Sequence, residues 1–155
     1  EQLSAHLVDL VLTNLPVKRD AGSAWHCHLL AEQPVSLVGP KTSSRKKFRF
    51  PQDLETVPVQ LPSLDSHLRV EFDRVMDRAG IHPVVAAEVD DMAMLRLLAR
   101  EGRVLTLVPP VVVLDELREG ILTERCRIPE ISERFYAIVP VRKKPNPLVE
   151  SLMNR

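Results

Sequence analysis

Apolar and polar residues follow two different periods along the chain, and the period predicts where strands and helices lie. Short apolar or alternating runs predict strands, and a polar break at residues 31–33 separates the second run from the third. The predicted strands are residues 8–13, 25–30, 34–39, 57–61, 83–89, 103–109 and 134–142.

In the second half of the chain, apolar residues recur every three to four positions, which predicts helices between the later strands. The first helix ends at Gly80, the second begins at a capping Asp90 and ends at Gly102, and the third ends at Gly120. We expect a left-handed C-terminal cap at each of these three glycines. A closing helix is predicted over residues 146–155. Strands that alternate with helices indicate an α/β fold with mainly parallel pairing.

The composition is that of an ordinary globular chain. Its 155 residues allow one domain or two small ones, and 45% of them are hydrophobic. The 21 basic and 21 acidic residues balance, which removes the global charge argument for nucleic-acid binding by this piece. The two cysteines, Cys27 and Cys126, are too few for a metal knuckle. We expect them to be reduced thiols in a cytoplasmic protein, with one disulfide bond between them as the alternative. There is no signal peptide and no apolar run of about 18 residues, so we expect no membrane span, and the chain is expected to be a fragment of something longer.

The segment "LPSLDSHLR" follows a buried strand and opens a helix. Ligands gather at the carboxyl ends of strands in open α/β sheets, and the free N–H groups of a helix N-terminus suit anions. Ser63, Ser66 and His67 can add directed hydrogen bonds, and Arg69 can pair with a carboxylate. The alternative interpretation is that Asp65 or Ser66 only caps the helix while Arg69 is solvated.

A second junction between a strand and a helix, "AEVDDMAML", carries the carboxylates Glu88, Asp90 and Asp91. Acids in the first turn of a helix interact favourably with its dipole. The functional alternative is that they repel anionic ligands or weakly attract a cation. Three acids without a glycine-containing loop are not a metal motif.

The remaining polar clusters give weaker signals. His26 and His28 flank Cys27 on a predicted strand, so the imidazoles point to one face and the thiol to the other. A metal site would need a third ligand, and no spacing supplies one, so we predict no metal. "SRKKFRF" at 44–50 is expected to be a solvated loop with its aromatic residues folded inward, with a nucleic-acid contact or a charge-protected edge strand as alternatives. No catalytic motif is present, which favours a binding module without a cofactor over an enzyme.

Taken in order, these pieces resemble the effector-binding region of LysR-type transcriptional regulators over nearly the whole chain. "LVDLVLTNLPV" resembles the family strand "G-x-L-D-x-A-L", and "WHCHLLAEQPVSLVGP" resembles its "L-x-x-E-P-L-x-L-V" crossing. The most specific piece, "EVDDMAMLRLLAREGRVLTLVPP", is similar to "x-x-x-L-x-x-L-V-A-x-G-x-G-I-x-L-L-P"; Gly102 keeps its first glycine, and Val104 replaces the second. "ERFYAIVPVRKKPNPLVESLM" resembles the return strand and the final helix. The acid-rich "EVDD" and "ERFYAI" lean towards the sodium/proton antiporter regulators of the family.

The resemblance implies an α/β fold like that of the type 2 periplasmic binding proteins, with two α/β lobes, two crossing strands and a cleft between the lobes. The first lobe is expected to contain residues 1–33 and 134–155 and to be incomplete, and the second to contain residues 34–133. The family's DNA-binding helix-turn-helix would be absent from this chain, so DNA would be bound only through that N-terminal part.

The resemblance also implies a function: sensing a small molecule or ion between the lobes, which controls the geometry of a homo-oligomer, dimer or tetramer. The residues expected to contact the effector are Ser63, Ser66, His67, Arg69, Asp90 and Asp91. Two alternatives share the fold. A solute-binding protein of a transporter would carry an export signal, and an enzyme on the same lobes would lose turnover when a cleft histidine or acid is mutated.

Overall fold

A computed structural model of the chain describes residues 3, 5, 7–17, 24–41, 47–141 and 146–153. The strands are β1 (Val11–Thr13), β2 (Trp25–Pro40), β3 (Val59–Pro62), β4 (Val85–Val89), β5 (Leu105–Val108) and β6 (Leu122–Pro140). The helices are α1 (His67–Ala79), α2 (Met92–Glu101), α3 (Leu114–Arg118) and α4 (Pro147–Met153), with 3₁₀ turns at Gln52–Glu55 and Pro110–Val113.

The chain divides into two compact units. Unit 1 comprises Glu1–Glu32 and Arg134–Arg155, and unit 2 comprises Gln33–Glu133. The long strands β2 and β6 are hydrogen-bonded neighbours and contribute residues to both units. The chain therefore passes from one unit to the other within β2 and again within β6.

Unit 2 is built on a sheet in which β3 is central and parallel to both of its neighbours, β4 and β5. Strand β2 pairs antiparallel with the other side of β5. A buried polar contact lies across the β3–β5 pair, because Gln60 and Thr106 are register partners and the Thr106 hydroxyl donates to Gln60 Oε1 at 3.1 Å. This pairing of buried polar groups favours one register over its neighbours.

Two apolar clusters cover the two faces of this sheet. The apolar positions of α1, spaced as the sequence predicts, pack with Val35 and Leu37 of β2 and with Leu105 and Leu107 of β5. The opposite cluster joins Leu95 and Ala99 of α2 to Val38, Val108, Val113 and Leu122. The alternation of β2 between the two clusters is what a strand buried on both faces requires.

Unit 1 contains β1, paired antiparallel with the end of β6 from Val11↔Ile138 to Thr13↔Tyr136. The start of β2 lies beside the same stretch of β6, since Val141 N–H donates to Ala24 O at 2.8 Å and Arg134 pairs with Glu32 at 3.1 Å. Pro147 occupies the first position of α4, where its missing N–H costs nothing. Unit 1 also exposes several large apolar side chains, namely Leu7, Leu12, Leu15, Leu29, Leu30, Leu148 and Leu152.

The two crossing strands differ in extent from the prediction. Residues 25–40 form one strand without the expected break at 31–33. Pro34 precedes the residues that pair with β5, Ser36 to Val38, so its missing N–H costs no hydrogen bond of that pairing. Strand β6 begins at Leu122, well before the predicted start at residue 134. The prediction missed this stretch because charged side chains interrupt its apolar positions.

The glycine caps were predicted correctly at two of three positions. Gly80 and Gly120 have φ of 66° and 71° and end α1 and α3 in the left-handed conformation. The prediction for Gly102 was wrong, because its φ of −83° and ψ of 171° are those of extended backbone. A Cβ at this position would lie 2.5 Å from Leu98 O, so the site excludes a side chain for lack of space.

Candidate functional site

The parallel strands β3 and β4 end side by side. Pro62 and Val89 are register partners at the last step, and the Ser63 N–H that follows donates to Val89 O at 3.0 Å. Two connections to helices, Ser63 to Ser66 and Asp90 to Asp91, therefore leave the same edge of the sheet. This is the edge at which open α/β sheets place their ligands.

A side-chain contact joins the two connections directly. Ser63 Oγ lies 2.9 Å from Asp90 Oδ1 and 2.7 Å from Asp65 Oδ1. A hydroxyl has one proton to donate, so it satisfies one of the two carboxylates at a time. Residues that are 27 positions apart in sequence are thus in contact at one site.

Ser66 and His67 stand at the start of α1. Ser66 is the N-cap residue by position, with φ of −67° and ψ of 131°, but its side chain makes no capping hydrogen bond. The Ser66 carbonyl accepts from Val70 N–H at 3.1 Å, while His67 is exposed on the first turn. The interpretation of Ser66 as a hydroxyl cap was therefore wrong, and the hydroxyl is not used to close the helix.

Arg69 is almost fully buried, with 6% of its surface exposed, so the alternative of a solvated arginine was wrong. Its Nε donates to both Asp73 carboxylate oxygens at 2.9 and 3.0 Å, and one terminal nitrogen donates to Glu88 Oε1 at 2.8 Å and Pro62 O at 3.2 Å. Burial lowers the pKa of Arg69, and the bonds to Glu88 and Asp73 more than offset this, so the pKa is raised above its ordinary value. The guanidinium thus joins β3, α1 and β4 beneath the candidate site.

The two aspartates at the start of α2 have different tasks. Asp91 is the N-cap and accepts from Met94 N–H at 2.8 Å, so the prediction that Asp90 caps this helix was wrong by one position. Asp90 turns instead towards Ser63. Both carboxylates are exposed, and with Asp65 they make the rim of the site acidic.

A side-chain hydrogen bond that the sequence did not predict connects α2 to α3. Arg96 Nε donates to Glu116 Oε1 at 2.9 Å, and Glu116 is buried with 3% of its surface exposed. The hydrogen bond from Arg96 is the main cause that lowers the pKa of Glu116 below its ordinary value, against the effect of burial. The partners are 20 residues apart, so no local spacing could have indicated the pair.

Phe48 and Phe50 pack against the apolar cluster of α1, as predicted for the loop at 44–50, of which residues 44–46 lie outside the described part. His6 also lies outside it. Within the described ranges, no group of three or more His, Cys, Asp or Glu side chains is arranged to hold a metal ion. None of the described helices combines the length and the apolar character needed to cross a bilayer.

Comparisons with known proteins agree on one family. A family model for the LysR substrate binding domain matches residues 1–155. The transcriptional activator protein NhaR of Escherichia coli is 22% identical over 154 residues, and the match covers 99% of this chain and 50% of NhaR. The chain thus spans half the length of that relative.

Solved structures of regulators in the same family share the fold. CbnR superposes with a TM-score of 0.73 at 18% identity, covering 99% of this chain and 54% of CbnR. The regulatory domain of HypT from Salmonella typhimurium in its bromide ion-bound form gives a TM-score of 0.72 at 16% identity, covering 99% of this chain and 76% of that domain. The family consists of transcriptional regulators rather than enzymes or solute-binding proteins of transporters. The fold is therefore the α/β fold of the periplasmic-binding-protein type, and this chain belongs to the LysR substrate binding domain family, the effector-binding domains of LysR-type regulators.

Proposed function

We propose that this domain senses a small molecule or ion at the edge of unit 2 where β3 and β4 end. The observation that carries the proposal is the 2.9 Å contact between Ser63 Oγ and Asp90 Oδ1, which joins the starts of α1 and α2. A ligand at this edge can contact both helix starts at once. The residues proposed to contact it are Ser63, Ser66, His67, Asp90 and Asp91, with Arg69 supporting them from beneath.

Related domains support the idea that the fold carries small ligands. The effector-binding domain of QuiR is known in complex with shikimate, and the HypT regulatory domain in a bromide ion-bound form. These ligands belong to those proteins, at 14% and 16% identity, and do not name the effector of this chain. The fold does not determine which class of ligand binds, so the ligand class must be argued from the side chains at the site.

The charges at the site argue against an anionic effector. The exposed carboxylates of Asp65, Asp90 and Asp91 lie at the starts of α1 and α2, while the charge of Arg69 is already matched by two acids of the chain. Helix N-termini attract anions, but fixed carboxylates at the cap position and just before it offset that attraction. We therefore infer that the effector is neutral or cationic.

Effector binding would act through two arrangements of the domain that differ in affinity for the ligand. The units described here would correspond to the two lobes of the family, with boundaries near residues 33 and 133. The whole regulator would be a cytoplasmic homo-oligomer, dimer or tetramer, and would bind DNA through an N-terminal helix-turn-helix outside these residues. A preference for sodium or protons, like that suggested by the resemblance to antiporter regulators, fits an acidic site.

Calorimetric titration of the regulator tests the ligand class. Monovalent cations and small ammonium compounds should bind more tightly than benzoate or dicarboxylates, and Ser63→Ala or Asp90→Asn should weaken binding at least tenfold. Asp77→Asn serves as the matched control, because Asp77 is an exposed aspartate at the far end of α1. Tight binding of a dicarboxylate that survives in Ser63→Ala would contradict the proposal.

A further inference from the structure

Two exposed histidines of unit 1 lie next to each other on β2. His26 and His28 are separated by one residue, and their ring centroids are 6.0 Å apart with the ring planes at 52°. Alternate residues of a strand point to the same face, so Cys27 points away from the pair. Neither ring is buried, and both side chains can reorient freely in solvent.

The face of β2 that carries these histidines is exposed, including Leu30, which has 43% of its surface exposed. Glu32 follows on the same face of β2, and its carboxylate pairs with Arg134 of the neighbouring strand β6 at 3.1 Å. Charged and imidazole side chains do not line a face that packs against an apolar layer. The pair at His26 and His28 is therefore a solvent-facing feature of unit 1.

The separation of the rings suits a shared metal ion. A nitrogen–metal distance of about 2.1 Å on both rings places two ring centres about 5 Å apart in a tetrahedral arrangement. The observed 6.0 Å is about 1 Å longer, a difference of the size that rotation of exposed side chains can supply. The sequence excluded a site with three protein ligands, whereas a chelate with two imidazoles leaves the other positions to water.

We propose that His26 and His28 chelate a divalent transition-metal ion on the solvent face of β2. Imidazole nitrogens select Ni²⁺, Cu²⁺ and Zn²⁺ over the hard cations Mg²⁺ and Ca²⁺, and among divalent metals the affinity is highest for Cu²⁺. The chelate uses residues other than those of the effector site, since both histidines belong to unit 1 and the site residues to unit 2.

Titration of the untagged regulator with Ni²⁺ tests the chelate without thiol oxidation. One ion should bind per chain, and His26→Gln and His28→Gln should each weaken binding at least tenfold, since one imidazole holds the metal far less tightly than two. His82→Gln is the matched control, because His82 is exposed and has no recorded ring contact with another histidine of the described ranges, and it should leave the affinity unchanged. Zn²⁺ should compete with Ni²⁺, and Mg²⁺ in excess should not.

Two results would overturn the proposal. One is Ni²⁺ binding that is the same in His26→Gln, His28→Gln and the unchanged protein. The other is a loss of the same size in His82→Gln. Circular dichroism of each variant shows that the fold is retained, since substitution of an exposed residue on this face should not alter stability measurably.

Discussion

Two glycines end helices of unit 2 for different physical reasons, and substitution by alanine separates them. Gly80 adopts φ of 66° after α1, and a Cβ there would meet no atom within 4 Å. Gly102 has an extended backbone after α2, and a Cβ there would lie 2.5 Å from Leu98 O and 3.5 Å from Gln60 Nε2. The first glycine is required for its conformation and the second for its small size.

The expected losses of unfolding free energy differ accordingly. At Gly80, an L-residue in the left-handed region costs about 1–2 kcal/mol, and a stiffer unfolded chain returns about 0.4–1 kcal/mol, so the net loss is about 1 kcal/mol. At Gly102, the new carbon must push away Leu98 O, which already accepts the Gly102 N–H at 2.7 Å. Overpacking costs about 1–3 kcal/mol and the weakened hydrogen bond about 1 kcal/mol. After the same return of about 0.4–1 kcal/mol from the stiffer unfolded chain, the net loss is about 1–3.6 kcal/mol, with a central value of about 2 kcal/mol.

Urea unfolding of the two alanine variants measures both losses, provided that the m-value stays constant. Asparagine then serves as the second substitution, because it tolerates the left-handed region but carries a Cβ. Gly80→Asn should recover part of the loss, whereas Gly102→Asn should be at least as unstable as Gly102→Ala. If Gly102→Ala matched the stability of the unchanged protein, or if asparagine rescued position 102, the steric argument would be wrong.

Five further substitutions test the contacts of Arg69, of Glu116 and of the start of α2. Arg69→Met removes a buried cation with four hydrogen bonds, and urea unfolding should show that the free energy of unfolding falls by about 2–4 kcal/mol. Asp73→Asn should cost clearly less, because the Asp73 carboxylate is partly hydrated. Glu116→Gln should make the free energy of unfolding less dependent on pH in acid. The pKa of Glu116 is lowered in the folded state, so ionised Glu116 stabilises the fold above the ordinary pKa of 4.5. This stabilisation is lost as the pH falls through the pKa of the folded state. Equal acid sensitivity in both proteins would contradict that assignment. Asp91→Ala should cost about 1 kcal/mol by loss of the cap on α2, and Asp90→Ala less, an order that thermal unfolding can confirm or reverse.

The sequence predicted the elements best where a single period dominated. The apolar spacing of α1 and the stop at Gly80 were correct, because packing and backbone conformation there depend on neighbours in sequence. The start of β6 was missed, since its buried Ile128 and Ile131 stand among charged residues and gain their environment only from the folded sheet. Gly102 was recognised as a helix end but for the wrong reason, because the atom that excludes a side chain is a backbone oxygen whose position no local pattern reveals.

The sequence likewise predicted some features of the candidate site and missed others. The sequence located both junctions between strand and helix, and parallel pairing of β3 with β4 brings them together at Ser63 and Asp90. It did not reveal that Arg69 is occupied by Asp73 and Glu88, since Glu88 reaches it from another strand. We therefore propose that Arg69 supports the site, while its predicted contact with the effector stays a prediction.

Chemical-shift mapping by NMR on the isotope-labelled domain tests the central claim most directly. The domain would be titrated with Na⁺, with small ammonium compounds and with benzoate. The account predicts that whatever binds shifts the amides of Ser63, His67, Asp90 and Asp91 together, and that these shifts are lost in Ser63→Ala. Binding that shifts amides only elsewhere in unit 2, with these four unchanged, would contradict the claim that the effector is sensed where β3 and β4 end.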